Sequence, residues 1–158
     1  MGNQQERLIW LAGFIDGEGY LGVKKVRKER DTFSGYQLSA RVMISNTSGE
    51  AFREVKEILD QNKVKYSVYF PKPKQDYWKP AFKISIECQE PVQKLLNLVS
   101  PYLIVKRNQA FLLSEFIDRR IVLVKRRYEK RDIEIWQQIK ELNQVSSETI
   151  RQNALRKI

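Results

Sequence analysis

The stretch from Leu11 to Gly19, which reads LAGFIDGEG, decides the fold of this chain. The residues from Leu8 to Ile15 are all apolar or small, which predicts a helix that is apolar on every side. Such a helix must be buried, either in a core or against a partner. At its end, Asp16 and Glu18 lie on either side of Gly17. Carboxylates next to glycine, whose backbone is conformationally permissive, are suited to binding a hard cation through oxygen ligands. The sequence therefore predicts a buried helix whose last turn positions two carboxylates at a candidate active site.

Length and cysteine content limit the class of protein. A chain of 158 residues fits one domain, and at this size a core needs no covalent staples. Cys88 is the single cysteine, which excludes an intramolecular disulfide framework. We expect an intracellular, reducing compartment, either the cytoplasm or an organelle interior. The first apolar run is too short for a signal peptide, and no run reaches the ~18 residues of a membrane span, so we expect no membrane partner.

The charge of the chain predicts a polyanionic partner. Twenty-nine basic residues against nineteen acidic ones give a net charge of +10, and nucleic acid is the commonest partner for such a balance. A basic soluble protein without such a partner is the alternative. The chain has no histidine, which excludes a histidine general base, a Ser-His-Asp site and His-ligated zinc. Any catalysis must use carboxylates, lysine, amides or a bound metal.

Hydrophobic periodicity predicts an α+β fold with the order α-β-β-α-β-β-α. Thr47 and Glu50 have the spacing of a capping box at the start of the second helix. The predicted elements before Glu90 are a helix from Glu6 to Asp16, strands over Tyr20–Lys28 and Tyr36–Ser45, a helix from the capping box to Gln61, and strands over Val64–Phe70 and Ala81–Cys88. The segment 30–35 is the predicted tip of the first hairpin.

The part of the chain after Glu90 is predicted to be helical. Arg107–Val124 and Asp132–Asn143 form two helices in this interpretation, and Ser146 to Glu148 cap a short last one. We expect a single domain over 1–158, with a core of about 6–125 and a helical extension of about 129–158.

The four predicted strands alternate between apolar and polar residues, which predicts a sheet with one face toward the helices. One-sided sheets commonly alternate in this way, but the outward residues here are mostly multi-donor side chains that can bind base edges or phosphates. The candidate nucleic-acid contacts are Tyr20, Lys24, Lys28, Gln37, Ser39, Arg41, Lys65, Ser67, Tyr69, Lys83, Ser85 and Glu87. In the third strand the alternative register, with Tyr66, Val68 and Phe70 outward, stays open. Arg119, Arg120 and 125–127 could add phosphate contacts or form a solvated helix face.

The nonapeptide and the element order resemble those of the LAGLIDADG homing endonucleases. Two further segments strengthen the resemblance. Ser147 to Arg151 (SETIR) is similar to the C-terminal tail of the single-motif, homodimeric members, and Leu103 to Lys106 (LIVK) resembles the segment with the family's active-site lysine. The resemblance implies an αββαββα fold whose four-stranded antiparallel sheet forms a saddle on DNA.

One copy of the motif implies a homodimer, since members with two copies are pseudo-symmetric monomers. Small residues on the first helix let a second copy approach closely across a two-fold axis. The residues expected at that interface are Leu8, Leu11, Ala12, Gly13, Ile15, Asp16 and Gly17. The resemblance assigns Mg²⁺ to Glu18 and the carbonyl of Gly17, with Ca²⁺ or Mn²⁺ as substitutes; Asp16 is expected to fix the helix end.

The remaining catalytic roles also come from the resemblance. Lys106 would lie near the scissile phosphate, and Asn46 matches a position where members have a polar residue that positions water. Lys106 as a solvated lysine and Asn46 as a turn former are the structural alternatives. Glu50 departs from the basic residue found there in the homodimeric members, so we assign it no catalytic role.

The function implied is site-specific cleavage of double-stranded DNA for intron homing, at a long and nearly palindromic site, with short 3′ overhangs. Two other functions stay open. One is an intron maturase that binds intron RNA on the same saddle, and the other is a DNA-binding regulator that has lost cleavage. The presence of Glu18 argues against the regulator.

Overall fold

A computed structural model describes residues 2–28, 35–123 and 127–156, with side-chain positions omitted for 145–151, 153 and 154. In this part of the chain, five α-helices and four strands follow the predicted order. They are α1 (Gln4–Glu18), β1 (Gly19–Arg27), β2 (Tyr36–Asn46), α2 (Gly49–Gln61), β3 (Ser67–Tyr69), β4 (Phe82–Glu87), α3 (Gln89–Val99), α4 (Arg107–Val122) and α5 (Lys130–Arg156). The predicted hairpin tip lies mostly outside the described residues, as do 124–126.

The sheet is antiparallel with the order β1-β2-β4-β3. Leu38, Ala40, Val42 and Ile44 of β2 are fully buried against the helices, while the alternate residues of the strand are half-exposed. This is the predicted alternation, and it follows from the two-residue period of a strand. The predicted α+β class is therefore confirmed, with one face of the sheet covered by helices and the other open.

Within the chain the first helix is buried on one side only, whereas the sequence predicted burial in a core or against a partner. Leu11, Ala12 and Ile15 are at most 1% exposed and lie in the chain's own core. They therefore cannot present their side chains at a dimer interface, as the sequence had suggested. The opposite side leaves Ile9 and Trp10 exposed by 47% and 39%.

Two helix boundaries differ from the predictions. Ser48, not Thr47, caps α2, because its hydroxyl accepts the N–H of Ala51 at 3.2 Å. The predicted break near Ser146 does not form, and α5 continues as one helix. No proline or glycine interrupts 130–156, so nothing in the backbone requires a break there.

The third strand is shorter than predicted and covers three residues, Ser67–Tyr69. Lys65 therefore lies before the strand rather than in it. Val64, one residue earlier, is buried and donates its N–H to the carbonyl of Leu59, so this segment closes the end of α2 and is not part of the sheet.

Helix α5 packs against β1 and α4, and its Ile135 and Ile139 belong to the main core. The segment before it also closes the sheet. The Tyr128 hydroxyl accepts the N–H of Leu38 at 2.6 Å and donates to the carbonyl of Leu38 at 3.4 Å. Since β4 pairs with β2 only from Arg41 onward, Tyr128 satisfies an otherwise open part of the β2 edge.

None of the helices formed by the described residues contains an apolar stretch of the length that a membrane span requires.

Candidate nuclease site and nucleic-acid interface

The end of α1 brings Glu18 to the surface at one end of the sheet. The helix stops at Glu18 because Gly19 turns into extended backbone, with its N–H still donating to the carbonyl of Ile15. Gly19 pairs with Ile44 near the end of β2, so Glu18 lies beside the last residues of that strand. The Glu18 side chain is exposed. It is therefore a carboxylate held at the sheet's end and open to a ligand.

Asp16 has a different environment from Glu18. Its carboxylate accepts the N–H of Ile104 at 2.7 Å and that of Lys106 at 2.9 Å. Both oxygens of Asp16 are therefore used to hold the 103–106 segment against α1. Asp16 fixes this segment through two charge-assisted hydrogen bonds. Because both of its oxygens already accept hydrogen bonds, it is poorly placed to bind a metal.

Lys106 is brought to the same place by this contact. Its ammonium donates to the backbone carbonyl of Asp16, and its side chain is half-buried. Burial lowers the pKa of the Lys106 ammonium, and the carboxylates of Asp16 and Glu18 oppose that shift in part. The segment with the predicted active-site lysine therefore packs directly on the end of the motif helix.

Asn46 is the last residue of β2 and lies next to this end of the sheet. Its Oδ1 accepts the N–H groups of Thr47 and Ser48, both at 2.8 Å. The side chain thus shapes the turn into α2, which is the structural alternative considered for it. The side-chain amide nitrogen of Asn46 donates no hydrogen bond to any of the described residues.

The open face of the sheet contains the predicted nucleic-acid contacts except Lys28 and Lys65, which lie outside the strands. Strand register places Lys24 opposite Ser39, Arg41 opposite Glu87, and Lys83 opposite both Ser45 and Tyr69. Ser67 pairs with Ser85, so Ser67 and Tyr69 face outward and the predicted register of the third strand is confirmed. Lys28 follows β1 and is exposed.

Glu87 is the one acidic residue among the predicted nucleic-acid contacts, and two basic side chains lie close to its carboxylate. Its Oε1 lies 3.6 Å from Lys24 Nζ and 4.0 Å from Arg41 Nη1. The Arg41 guanidinium also lies over the Tyr20 ring, 5.9 Å from its centre, and its Nε has no hydrogen-bond partner among the described residues. This cluster presents several donors and one acceptor to a ligand above the sheet.

Arg119 and Arg120 do not form a free basic patch. Arg119 Nε binds the buried carboxylate of Asp132 at 2.9 Å and its Nη2 binds Glu129 at 2.8 Å, while Arg120 lies 3.7 Å from Asp132. These arginines join α4 to the start of α5. Their guanidinium groups are therefore already paired with carboxylates, and phosphate contact by these arginines stays a prediction, while 125–126 lie outside the described residues.

Sequence reasoning missed the exposed stripe on α1. Ile9, Trp10, Gly13 and Gly17 lie on the side of the helix away from the core, and a Cβ atom added at either glycine would meet nothing within 4 Å. The helical spacing of these four residues could be seen in the sequence. Because apolar residues occur on all sides of the helix, the sequence did not show which side packs against the core.

The residues at the end of α1 fit a divalent cation only in part. Glu18 offers a carboxylate oxygen, the type of ligand that Mg²⁺ prefers, but Asp16 is already occupied by backbone donors. Among the described residues, no cluster of three acidic or cysteine side chains is available to complete a site. A cation held here would take its remaining ligands from backbone carbonyls, water, a nucleic-acid phosphate or a second chain.

Comparison with solved structures identifies the fold. Homing endonuclease I-CvuI, solved with the I-CreI target DNA, matches 88% of this chain and 83% of its own at a TM-score of 0.65 and 20% identity. The archaeal intron-encoded homing endonuclease I-Vdi141I, complexed with DNA, matches 89% and 86% at a TM-score of 0.67 and 17% identity. The LAGLIDADG homing endonuclease I-SmaMI, bound to cleaved DNA, matches 89% of this chain but only 43% of its own, at a TM-score of 0.61 and 18% identity.

No protein-family model and no curated protein sequence matches the chain. The structural similarity defines the chain as a protein with the LAGLIDADG homing endonuclease fold, and the resemblance seen in the nonapeptide is confirmed at the level of the fold.

Proposed function

We propose that this protein is a site-specific, divalent-metal-dependent DNA endonuclease of the homing type. The observation that carries the proposal is the position of Glu18. It is an exposed carboxylate at the end of the motif helix, beside the anchored Lys106 and at one end of a sheet whose open face is polar and basic. The solved structures with the same fold support this proposal because they are homing endonucleases, some of them bound to DNA.

The proposed substrate is duplex DNA, bound on the open face of the sheet. Lys24, Arg41 and Lys83 supply positive charge there. A two-stranded or larger antiparallel sheet fits the major groove, where all four base pairs differ in their donors and acceptors. The salt dependence of binding should be steep, because phosphate contacts release counterions.

The proposed active assembly is a homodimer formed through the exposed stripe of α1. Two glycines on this stripe permit close approach of a second helix, and Ile9 and Trp10 offer apolar surface to bury. A two-fold axis along the stripe would bring both Glu18 residues together at the centre. The I-SmaMI chain, of which this chain covers less than half, supports an assembly larger than one such domain.

In this proposal the Glu18 carboxylate and the Gly17 carbonyl would hold Mg²⁺, with Ca²⁺ or Mn²⁺ as substitutes. When bound, such a cation would supply Lewis-acid stabilisation and would lower the pKa of a water molecule that it binds. Lys106 contributes positive charge where the phosphate becomes more negative. Asn46 shapes the adjacent turn, and its amide nitrogen is the group left to orient water.

The test is cleavage of a duplex that joins the two sequences flanking the open reading frame. We expect one double-strand break with short 3′ overhangs in Mg²⁺. Glu18→Gln should abolish the break while binding in Ca²⁺ remains, and Glu90→Gln, an exposed acid in the first turn of α3, should cut normally. Cleavage by Glu18→Gln at the normal rate would remove Glu18 from the mechanism.

An intact duplex, together with splicing of the host intron only when the protein is present, would replace the endonuclease proposal with the maturase.

A further inference from the structure

The carbonyl end of α1 receives its positive charge from a distant part of the chain. The last turn of this helix contains no basic residue, although the C-terminal carbonyls of a helix carry partial negative charge. The ammonium of Lys106, 90 residues later in the chain, donates to one of these carbonyls, that of Asp16. Lys106 therefore acts as a cationic cap on the end of the motif helix.

This cap lies where the proposed cation would bind. Gly17 and Glu18 follow Asp16 directly, so Lys106 holds the carbonyl next to the one assigned to the metal. The carboxylates of Asp16 and Glu18 are close enough to oppose the lowering of the Lys106 pKa by burial. The ammonium and a divalent cation would therefore share the same few negative groups, and like charges at such short range repel.

The side chain of Lys106 can leave this position without movement of the backbone. The N–H of Lys106 donates to the Asp16 carboxylate at 2.9 Å, and the carbonyl of Lys106 accepts the N–H of Ala110 at 3.0 Å. Both backbone groups are thus held, whereas the lysine side chain is a point charge on a flexible four-carbon stem. The ammonium can exchange one acceptor for another while α1 and α4 stay in place.

We propose that Lys106 is an exchangeable cap that couples cation binding to DNA binding. In the cation-free protein its ammonium holds the Asp16 carbonyl, and it gives up this carbonyl when a divalent cation occupies Glu18. A phosphate of bound DNA then accepts the ammonium. The inference rests on the proposed function, since it requires a cation at Glu18 and DNA at the same end of the sheet.

The exchange makes each ligand strengthen the binding of the other. Without DNA, the displaced ammonium loses a hydrogen bond to protein and gains none, so cation binding is weakened. With DNA, the phosphate compensates for this loss, and linkage requires the same factor in both directions. A lysine that kept its bond to Asp16 throughout would instead weaken cation binding equally in the free and the DNA-bound protein.

The test is calorimetric titration of the full chain with Ca²⁺, for wild type and Lys106→Met. Each protein is titrated alone and with a saturating amount of the duplex that joins the two sequences flanking the open reading frame. The heat that is absent in Glu18→Gln defines binding at this site. Thermal unfolding checks that each variant keeps the fold.

Lys94→Met is the matched control. The Lys94 ammonium also donates to a carbonyl just after a helix, that of Lys63 after α2, at 3.0 Å. A hydrogen bond between Gln4 and Asn62 places this end of α2 beside the start of α1, at the opposite end of the helix from Glu18. The control therefore removes a similar cap far from the proposed cation site.

We expect Lys106→Met to bind Ca²⁺ about five-fold or more tightly than wild type in the absence of DNA, a factor typical of coupling between two sites. With the duplex bound, the two proteins should agree within about two-fold, because a phosphate then accepts the ammonium of wild type. Lys94→Met should match wild type in both states. By linkage, Ca²⁺ should strengthen duplex binding less in Lys106→Met than in wild type.

The carbonyl ¹³C signal of Asp16 gives a second measurement that does not depend on a variant's stability. In wild type this signal should shift when Ca²⁺ and the duplex are added together, because its hydrogen bond to Lys106 is lost. The same addition to Glu18→Gln should leave the Asp16 signal in place.

Equal tightening of Ca²⁺ binding by Lys106→Met with and without DNA would show a fixed charge and overturn the exchange. Absence of tightening in the free protein, or an Asp16 signal in wild type that Ca²⁺ and the duplex do not move, would overturn it as well. Failure of the proposed function gives a different result, because wild type would then show no Glu18-dependent Ca²⁺ binding or no specific binding of the duplex.

Discussion

Asp16 and Lys106 are bonded in both directions. The Asp16 carboxylate accepts the backbone N–H of Lys106 at 2.9 Å, and the Lys106 ammonium donates to the backbone carbonyl of Asp16. A second carboxylate oxygen of Asp16 accepts the N–H of Ile104 at 2.7 Å. The first acid of the motif is therefore the anchor of the lysine, and the second acid, Glu18, is left free for a ligand.

Asp16→Asn tests this division of roles. An amide has one acceptor oxygen where the carboxylate has two, so one of the N–H groups of Ile104 and Lys106 would lose its partner. We expect a loss of roughly 1.5–3 kcal/mol in the free energy of unfolding, as for other hydrogen bonds to charged groups. Lys106 would also be less well positioned, so cleavage should slow at least ten-fold while DNA affinity in Ca²⁺ changes little.

Denaturant unfolding and single-turnover cleavage measure the two effects of Asp16→Asn. Asp118→Asn, on an exposed position of α4, is the matched control and should change neither. Wild-type stability together with wild-type cleavage in Asp16→Asn would contradict the anchoring role.

Much of the fold could be predicted from the sequence because local periodicity and burial agree over most of the strands. In β2 every second residue is apolar, and the same residues are buried. The register of β3 was ambiguous in the sequence, because Tyr66, Val68 and Phe70 could have faced outward instead. Pairing with β4 decides the register, and pairing is a non-local property. Lys65 was misplaced for the same reason.

The candidate site was predictable in position but not in connectivity. The motif predicted that Glu18 and Asp16 lie together, whereas nothing in the local sequence shows that Asp16 bonds a segment almost ninety residues later. The ion pairs that occupy Arg119 likewise come from Asp132 and Glu129 on a neighbouring element. Contacts of this kind depend on tertiary packing, which periodicity does not encode.

Tyr128→Phe tests whether the segment before α5 closes the edge of the sheet. The substitution removes the hydroxyl that serves both the N–H and the carbonyl of Leu38, and keeps the ring that stacks on Tyr36 with centres 5.6 Å apart. We expect a loss of roughly 1–3 kcal/mol in stability, because a part-buried backbone group loses its partner. Amide exchange at Leu38 should accelerate.

Tyr77→Phe is the control for Tyr128→Phe because it removes a hydroxyl from a ring that is mostly exposed. It should leave stability and exchange at Leu38 unchanged. Unaltered exchange at Leu38 in Tyr128→Phe would show that this bond does not protect the edge.

Asp132→Asn tests the ion pairs that join α4 to α5. Asp132 is completely buried, and its carboxylate meets Arg119 Nε at 2.9 Å and the N–H of Glu129 at 2.8 Å. Removing its charge leaves Arg119 and Arg120 without their shared buried partner, so we expect a loss of about 3 kcal/mol or more. Glu129→Gln removes an exposed partner of Arg119 and should cost less than about 1 kcal/mol.

Chemical unfolding of Asp132→Asn and Glu129→Gln at low and high salt measures this difference. Equal effects of the two substitutions would show that burial does not set the strength of these pairs.

Gly13→Ala distinguishes an exposed helix from a dimer interface by the sign of its effect. A Cβ at residue 13 meets nothing within 4 Å in the chain, so in an isolated subunit alanine should raise helix stability by roughly 1 kcal/mol. If a second α1 packs on this stripe, the added methyl groups oppose each other across the two-fold axis. We then expect weaker dimerisation and slower double-strand cleavage.

Sedimentation equilibrium and unfolding at two protein concentrations measure both consequences of Gly13→Ala. Gly49→Ala is the matched control, since a Cβ there also meets nothing within 4 Å but the residue lies at the start of α2. It should leave dimerisation and cleavage unchanged. A Gly13→Ala protein that is more stable at every concentration and cleaves normally would exclude the α1 stripe as the interface.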